Sequence, residues 1–225
     1  MIYQHIIMEQ RGVEMLGDVL LITEGHKKAA SGIMNYLDKI EGEKIILAIG
    51  GESGSGKTEI AHEIARVLKI RATPAKVMHI DNYYLTSPAD RTSWRQEHGI
   101  ESIGYSEYDW DTINRNIGEF HNGKDQVTMP CIDLLTDQED QLITSFKGIE
   151  FLIIEGLYAI QAEANLKVHI DLTYHETKKA QFERGKEPTN EYRWQVLQRE
   201  HEVVQSLQSQ ADLLVNKDFS VSPTK

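Results

Sequence analysis

The sequence contains almost no cysteine and no long hydrophobic run. Cys131 is the only cysteine, so no intramolecular disulfide can form and the reducing cytoplasm is the expected compartment. No apolar stretch approaches the ~20 residues that are needed to cross a bilayer. The segment from Met1 to Glu14 lacks a basic region followed by an apolar one, and no secretory signal is predicted. We therefore expect no membrane partner.

Positive charge is also scarce, because the formal net charge is -11. A nucleic-acid backbone is held by clustered lysine and arginine, so we expect no nucleic-acid partner. A small phosphorylated ligand is compatible with this charge, since local fields hold such a ligand. With 225 residues, of which 40% are hydrophobic and 26% charged, the composition is that of a globular protein. It predicts one domain of generous size or one domain with an added segment.

One glycine-rich segment carries a strong signal. Residues 51–58, G-E-S-G-S-G-K-T, fit the phosphate-binding pattern G-x-x-x-x-G-K-[ST]. The apolar run Ile45–Ile49 before it is typical of a buried parallel strand, and Ile60 and Ile64 after it recur at helical spacing. An ordinary Gly/Ser turn before a lysine is the alternative interpretation. The strand and the helix on either side favour a loop that binds a nucleoside triphosphate.

The chemistry of such a loop explains its residue types. Glycines allow positive φ and turn successive N–H groups toward phosphate oxygens, and the helix that follows adds a partial positive charge. Lys57 would reach the β- and γ-phosphates, and the Thr58 hydroxyl would hold Mg²⁺. The predicted nucleotide-binding residues of the loop are Gly51, Glu52, Ser53, Gly54, Ser55, Gly56, Lys57 and Thr58.

Predicted strands and helices alternate along the chain. The predicted strands are Val19–Ile22, Ile45–Ile49, Val77–Ile80, Val127–Met129 before Pro130, Phe151–Ile154, Val168–Asp171 and Leu213–Val215. Helical patterns lie around Ala29–Ile40, after the loop, around Ile113–Phe120 and over roughly Glu191–Gln208. This order predicts an α/β fold, a three-layer α/β/α sandwich with a mostly parallel central sheet. In such sheets, ligands bind at the carboxyl ends of the strands.

Three predicted strands end in carboxylates: Asp81, Glu155 and Asp171. Acids beside a triphosphate are repelled unless Mg²⁺ or a transferable proton gives them a role. A carboxylate that caps the next turn is the alternative for each of them. We favour a functional role for Asp81 and Glu155 and leave both interpretations open for Asp171. The polar, aromatic segment Thr86–Asp111 lacks sustained periodicity, which predicts a functional loop.

Taken together, the motifs resemble those of P-loop kinases of the uridine kinase and phosphoribulokinase type, over roughly residues 45–215. The matching residues are, in chain order, the loop 51–58, Asp81-Asn82-Tyr83-Tyr84, Tyr108-Asp109-Trp110-Asp111, Ile154-Glu155-Gly156 and Ala211-Asp212-Leu213-Leu214-Val215. The resemblance implies the P-loop NTPase fold and ATP with Mg²⁺ as cofactors. It also implies a kinase domain over 45–225 with a helical lid at about 176–195. Residues 1–44 form a predicted N-terminal βα extension, and the oligomeric state, including a homo-oligomer, stays open.

The resemblance implies roles for four residues of an acceptor site. Asp81 resembles the carboxylate that accepts the proton of the acceptor hydroxyl. Tyr84 resembles an aromatic residue that lines the acceptor pocket, with core packing as the alternative. Asp109 resembles the acid that hydrogen-bonds acceptor hydroxyls, with a solvated loop aspartate as the alternative. Asp133 matches the acid between two aromatic residues that, in nucleoside kinases of this type, helps to grip the base.

Three further residues are implied around the phosphates. Glu155 resembles the acid at the end of the metal-side strand, which acts on Mg²⁺ directly or through water. Arg184, as a catalytic residue, and Arg193, as a nucleotide-binding residue, fall where the family has lid arginines over the transferring phosphoryl group. A solvated basic helix face is the alternative for both arginines.

The acceptor site departs from that of nucleoside kinases. After Pro130, the aromatic residues that flank the family's aspartate are Ile132 and Leu134 here, and Asp137 stands near the place of a histidine. A pyrimidine base would lose its stacking platform and a hydrogen-bond donor. The acceptor is therefore expected to be a small molecule with a hydroxyl group other than uridine.

Two other functions are compatible with the phosphate loop. One is a nucleotide-dependent switch or plain NTPase, which usually needs a glutamine to position water. Gln138 and Gln141 are the candidates, in a segment whose geometry the sequence does not give. The other is a kinase for a nucleotide-linked sugar, for which the acidic, aromatic segment Tyr105–Asp111 lacks the expected basic residues. Asp81 favours a small-molecule kinase, because a kinase needs a base aimed at a hydroxyl.

Overall fold

The structure, a computed structural model, describes residues 20–133, 136, 138–177 and 190–224. The strands are β1 (Ile45–Gly51), β2 (Ala75–His79), β3 (Gln126–Asp133), β4 (Gln138–Ser145), β5 (Phe151–Gly156), β6 (Leu166–Ile170), β7 (Leu213–Val215) and β8 (Val221–Pro223). The helices are α1 (Glu24–Leu37), α2 (Lys57–Ile70), α3 (Pro88–His98), α4 (Trp110–His121) and α5 (Glu191–Ser206).

Six strands form the central sheet, in the order β2-β5-β1-β6-β7-β8, and all neighbours pair in parallel except β7 and β8. Every residue of β1 is buried, because both faces of the sheet are covered. Ile45, Leu47 and Ile49 pack with α1 and α2 on one face. Ile46 packs on the other face with α4, α5 and β3. The predicted three-layer α/β/α arrangement is confirmed.

The predicted strand at Val19–Ile22 is wrong over the residues that the structure describes, because Leu20 to Ile22 are not in a strand. The sheet edge beyond β7 is occupied by β8. Thr23 instead caps α1, since its side chain accepts from the His26 amide while the His26 ring accepts from the Thr23 amide. Helix α1 packs against α2 and β8. The division into residues 1–44 and 45–225 stays a prediction.

Strand β3 does not stop at Pro130, as the sequence predicted, but runs to Asp133 and pairs with β4 in an antiparallel hairpin. Among the described residues, this hairpin is a separate two-stranded sheet. A ribbon edge tolerates proline, because its missing N–H is not needed for pairing. Seven of the eight β4 residues are exposed, and the strand therefore lacks the apolar alternation by which strands are recognised.

The predicted loop Thr86–Asp111 contains helix α3 and two short 3₁₀ turns, so it is more ordered than the sequence indicated. Ser87 caps α3 by accepting from the Asp90 amide, and Pro88 occupies the first turn, where its missing N–H costs nothing. The helix has little apolar periodicity and is held by a buried ion pair of Arg95 with Glu107. None of the helices among the described residues is both long and apolar enough to span a bilayer.

Candidate active site

The phosphate loop follows β1 and ends at the first turn of α2. Gly54 and Gly56 have φ values of 77° and 91°, which favour glycine. A Cβ atom on Gly56 would lie 2.7 Å from His26 Nε2, so a side chain does not fit there. The Ser55 hydroxyl is buried and has no hydrogen-bond partner in the described part of the chain. A cradle of this shape with an unsatisfied hydroxyl fits a bound phosphate.

Lys57 is the first residue of α2 and is largely buried. Its ammonium Nζ donates to the main-chain oxygen of Glu52 at 2.9 Å. The Lys57 side chain therefore extends back over the phosphate loop. The neighbouring Thr58 directs its hydroxyl toward the end of β5. The structure therefore places the loop lysine and the loop threonine at the carboxyl ends of the parallel strands, where ligands bind in such sheets.

Glu155 lies at the end of β5 and accepts two hydrogen bonds. Thr58 Oγ1 is 3.2 Å from Glu155 Oε1, and His79 Nδ1 is 2.6 Å from the same oxygen. His79 and Glu155 are partners in the parallel register of β2 and β5. Burial favours the neutral acid, but the hydrogen bond and charge of His79, with Lys57 and Thr58, lower the pKa of Glu155 below its usual value. Glu155 is therefore an ionised carboxylate.

A hydroxyl and an ionised carboxylate form a donor set that suits Mg²⁺, which is usually held by one or two carboxylates and the substrate phosphates. Thr58 and Glu155 are the residues that would hold the ion. Over the described residues, no group of three histidine, cysteine, aspartate or glutamate side chains could hold a metal by itself. A Mg²⁺ ion here would therefore depend on the nucleotide phosphates for its remaining ligands.

Asp81 lies in the 3₁₀ turn Ile80–Tyr83 that follows β2. The Tyr108 hydroxyl donates to Asp81 Oδ1 at 3.3 Å. Burial, together with the charge of Glu155, raises the pKa of Asp81, while Lys57 and Arg91 oppose this effect. Asp81 is thus a partly buried carboxyl that shares one field with the loop lysine and with Glu155, and a group with such a perturbed pKa is a candidate for a functional role.

Tyr84 is stacked between two other side chains. Its ring centroid lies 4.1 Å from that of Tyr108, and the guanidinium carbon of Arg91 lies 3.4 Å from the Tyr84 centroid. Tyr108 in turn contacts the buried ring of Tyr158 edge to face, at 5.5 Å. Tyr108 and Arg91 were not predicted as site residues. The position of Tyr108 directly before Asp109 was the available signal, whereas the sequence gives no signal for Arg91.

The other two predicted acceptor-site acids lie near the Asp81 turn. Asp109 caps α4 by accepting from the Thr112 amide at 3.0 Å, and hydrogen bonds from the side chain and then the main chain of Thr112 lower the pKa of Asp109. Its main-chain N–H donates to the Tyr83 oxygen of the turn. Asp133 is the last residue of β3, and the main-chain N–H of the preceding Ile132 donates to Asn82 Oδ1. The roles of Asp109 and Asp133 in acceptor binding stay predictions.

The side chain of Glu52, the second residue of the phosphate loop, is bound by residues from outside the loop. Only 2% of its surface is exposed, and its carboxylate accepts three hydrogen bonds. The donors are the Tyr174 amide at 2.7 Å, His201 Nδ1 at 2.7 Å and Gln205 Nε2 at 2.9 Å. His201 and Gln205 belong to α5. The side chain of Glu52 therefore fastens the loop to a helix that lies far away in sequence.

Helix α5 also carries Arg193, which lies 3.8 Å from Glu200 Oε1. Glu200 and Glu107 flank the buried Arg95, so that α3 and α5 are joined through charges. The assignment of Arg193 to the nucleotide stays a prediction. Arg184 and residues 178–189 of the predicted lid lie outside the described residues. Asp171 follows β6, which is separated from β5 by β1, and it is not part of the contacts around Asp81.

A glycine-rich loop between a parallel strand and a helix, with buried acids at the ends of neighbouring strands, defines a P-loop nucleotide-binding protein. The family model described as "Phosphoribulokinase / Uridine kinase family" matches residues 46–178. The chain belongs to this family. The matched region includes the loop, Asp81, Asp109, Asp133 and Glu155, but neither α1 nor α5.

Similar proteins agree with this assignment. A uridine kinase of Ureaplasma parvum is 27% identical over 133 residues, which are 56% of this chain and 62% of that protein. The bifunctional alpha-galactosidase/sucrose kinase AgaSK of Mediterraneibacter gnavus is 25% identical over 203 residues, 84% of this chain and 22% of that protein. The chain thus spans less than two thirds of the length of these curated relatives.

The fold is also found among solved structures. The structure of a possible uridine kinase from Bacillus stearothermophilus aligns with a TM-score of 0.62 at 19% identity, covering 84% of this chain and 97% of that one. This likeness shows the three-layer P-loop NTPase fold. The predicted fold class and the predicted family are confirmed.

Proposed function

We propose that the protein is an ATP-dependent small-molecule kinase that transfers the γ-phosphoryl group to an acceptor hydroxyl, ATP + R–OH → ADP + R–O–phosphate + H⁺. The observation that carries this proposal is the position of Asp81. A partly buried carboxyl with a raised pKa shares the field of Lys57 in the phosphate loop and of Glu155, and Tyr108 donates to it. A base aimed at a substrate hydroxyl is what a kinase requires.

In this proposal, the residues of the chain divide the work of positioning and charge stabilisation. The loop amides and Lys57 hold the β- and γ-phosphates and stabilise the charge that spreads over the transferring oxygens. Asp81 orients the acceptor hydroxyl and takes its proton on a carboxylate oxygen as the O–P bond forms. When bound between Thr58 and Glu155, Mg²⁺ supplies charge neutralisation at the phosphates. Arg184 and Arg193 are assigned the lid positions over the phosphoryl group.

The acceptor is proposed to be bound by Tyr84, Asp109 and Asp133 and to be a molecule other than uridine. Ile132 of β3 is buried, and it replaces an aromatic residue that would stack on a base. The segment that contains Asp133 is tied to the Asp81 turn by Asn82. This contact supports an acceptor site beside the end of β3, where the aliphatic Ile132 offers no stacking surface for a pyrimidine.

The alternative is a nucleotide-dependent NTPase or switch in which water is the acceptor. Both of its candidate glutamines, Gln138 and Gln141, are exposed on β4, and Gln138 donates to the Thr136 oxygen. The raised pKa of the partly buried Asp81 favours the kinase, because that group has the character of a base for a substrate hydroxyl.

A screen of hydroxyl compounds tests the proposal. Nucleosides, sugars, sugar phosphates and hydroxy acids are each mixed with the protein and MgATP, and ADP release is measured against a sample without acceptor. A large acceptor-dependent rise, with the phosphorylated product identified by mass spectrometry, is the expected result. Equal ADP release in every sample would favour the NTPase and contradict the kinase.

A further inference from the structure

Arg91 lies on α3 and its guanidinium group covers the ring of Tyr84. The distance from the guanidinium carbon to the ring centroid is 3.4 Å. Tyr108 lies at 4.1 Å from the same centroid, so the two groups must occupy opposite faces of the Tyr84 ring. Guanidinium groups stack in this way because they are planar and weakly hydrated. The stack fixes the position of the Arg91 charge.

Arg91 forms no ion pair within the described part of the chain, and its Nε is buried without a hydrogen-bond partner. One terminal nitrogen reaches the Thr86 oxygen only at the long distance of 3.5 Å. Arg95, one turn further along α3, is by contrast bound by both oxygens of Glu107 and lies 3.4 Å from Glu200. Among the described residues, the terminal nitrogens of the partly exposed Arg91 have only the one long contact with Thr86, and they are the donors that a bound anion can reach.

The charge also lies close to the proposed base. The stacked Tyr108 donates to Asp81 Oδ1, so a continuous row of contacts leads from Arg91 through Tyr84 and Tyr108 to Asp81. The positive charge of Arg91 is one of those that oppose the rise in the pKa of Asp81. Arg91 therefore lies against Tyr84, a proposed acceptor-binding residue, on the face of the ring that Tyr108 leaves uncovered.

We propose that Arg91 binds an anionic group of the acceptor, so that the acceptor is an alcohol that also carries a carboxylate or a phosphate. The inference rests on the proposed kinase function and names its substrate class. A guanidinium fork matches both anions through paired hydrogen bonds. The net charge of -11 and the nearby acids Asp81 and Asp109 would repel such an acceptor, and the Arg91 charge compensates for that repulsion.

The experiment compares acceptors of equal carbon number with and without a carboxylate or a phosphate. Three sets are used: glycerol, glycerate and glycerol phosphate; ribose, ribonate and ribose 5-phosphate; glucose, gluconate and glucose 6-phosphate. For each compound, phosphoryl transfer from MgATP is measured with the wild-type protein, Arg91→Gln and Arg91→Lys. The control is Arg71→Gln, because Arg71 lies at the end of α2 in an exposed ion pair with Asp38.

In the wild type, we expect an anionic member of a set to be phosphorylated and its neutral counterpart to be much poorer. The carboxylate and phosphate members show which anion is recognised. Arg91→Gln should raise the acceptor KM by about tenfold or more, as for a lost charge-assisted hydrogen bond, with little change in kcat or in MgATP affinity. Arg91→Lys should recover part of the loss, because it restores the charge without the fork. Arg71→Gln should behave as wild type.

Two results would overturn the inference. If neutral members are preferred and Arg91→Gln leaves their KM unchanged, the anionic acceptor is wrong while the kinase stands. If no compound raises ADP release above the background, both this inference and the proposed function are contradicted. Thermal unfolding shows whether Arg91→Gln is folded. If it is not, the preference of the wild-type protein for anionic or neutral acceptors decides whether the inference holds.

Discussion

The Glu52 carboxylate and the His201 ring are in direct contact, with 2.7 Å between Oε1 and Nδ1, although 149 residues separate them in the sequence. One belongs to the phosphate loop and the other to α5. The main-chain oxygen of Glu52 accepts from Lys57 Nζ, so the same residue contacts α5 with its side chain and the loop lysine with its backbone. The position of Lys57 thereby depends on how α5 packs.

This contact gives a prediction for Glu52→Ala. The substitution leaves the donors of Tyr174, His201 and Gln205 without their acceptor, and we expect the free energy of unfolding to fall by about 2–4 kcal/mol. Affinity for MgATP should fall as well, because the loop backbone that accepts from Lys57 is no longer tied to α5. Urea unfolding and calorimetric titration with MgATP measure the two effects. Glu24→Ala is the control, since Glu24 is 89% exposed, and it should change stability by less than about 1 kcal/mol.

Alanine substitutions at Gly56 and Gly123 distinguish the effect of backbone strain on stability from the effect of the phosphate loop on nucleotide binding. Gly56 has a φ of 91° and a Cβ there would meet His26 at 2.7 Å, whereas Gly123 has a φ of 70° and open space around it. Both alanine variants should lose about 1–2 kcal/mol of stability through strain at positive φ, and Gly56→Ala should lose more because its Cβ would overlap the His26 ring. Only Gly56→Ala should also lose nucleotide binding, measured by titration with a fluorescent ATP analogue. Normal binding by this variant would show that the cradle tolerates a side chain.

The raised pKa of Asp81 gives a pH dependence. As the base, Asp81 must be deprotonated, so kcat/KM should fall on the acid side with an apparent pKa above that of an ordinary aspartate. Because the pKa is higher in the folded than in the unfolded state, this group favours folding at low pH. That contribution is lost as the pH rises through the folded-state pKa.

The measurement is a pH profile of kcat/KM, combined with urea unfolding at several pH values. In Asp81→Asn, the contribution of this carboxyl to the pH dependence of the free energy of unfolding should disappear. An acid limb at the usual aspartate pKa in the wild-type protein would show that Asp81 is not the titrating base.

The buried ion pairs of Arg95 give a stability prediction. Arg95→Met removes the cation between Glu107 and Glu200 and leaves both acids buried without it, so we expect a loss of about 3–5 kcal/mol. Arg71→Met removes an exposed pair and should cost less than about 1 kcal/mol. Thermal unfolding of the two variants measures the difference. Equal stability of both would mean that the Arg95 cluster does not hold α3 in place.

Local patterns in the sequence were sufficient for the centre of the fold. The phosphate loop has its own spacing, and β1 and the neighbouring β5 begin with continuous apolar runs because the sheet is covered on both faces. The rule that strand ends meet at one edge of a parallel sheet also predicted that Asp81 and Glu155 belong to one site. The structure brings both acids together with Lys57.

Other parts of the site depend on contacts that leave no local pattern. Helix α3 is polar and is held by Arg95, whose partners lie 12 and 105 residues further along the chain. Strand β4 is mostly exposed, so it has no buried face to create an alternating pattern. His79 and Glu155 are paired through strand register, which a sequence does not give. Tertiary contacts, more than helix or strand propensity, decide these elements.

The central claim is that a hydroxyl acceptor, activated by Asp81, receives the phosphoryl group of ATP. The most direct measurement is the transfer of ³²P from γ-labelled ATP to the best acceptor of the screen, by the wild-type protein and by Asp81→Asn. The affinity for MgATP is measured on the same samples. The account predicts that transfer by Asp81→Asn falls by about 10²-fold or more while MgATP still binds. Undiminished transfer by Asp81→Asn would contradict it.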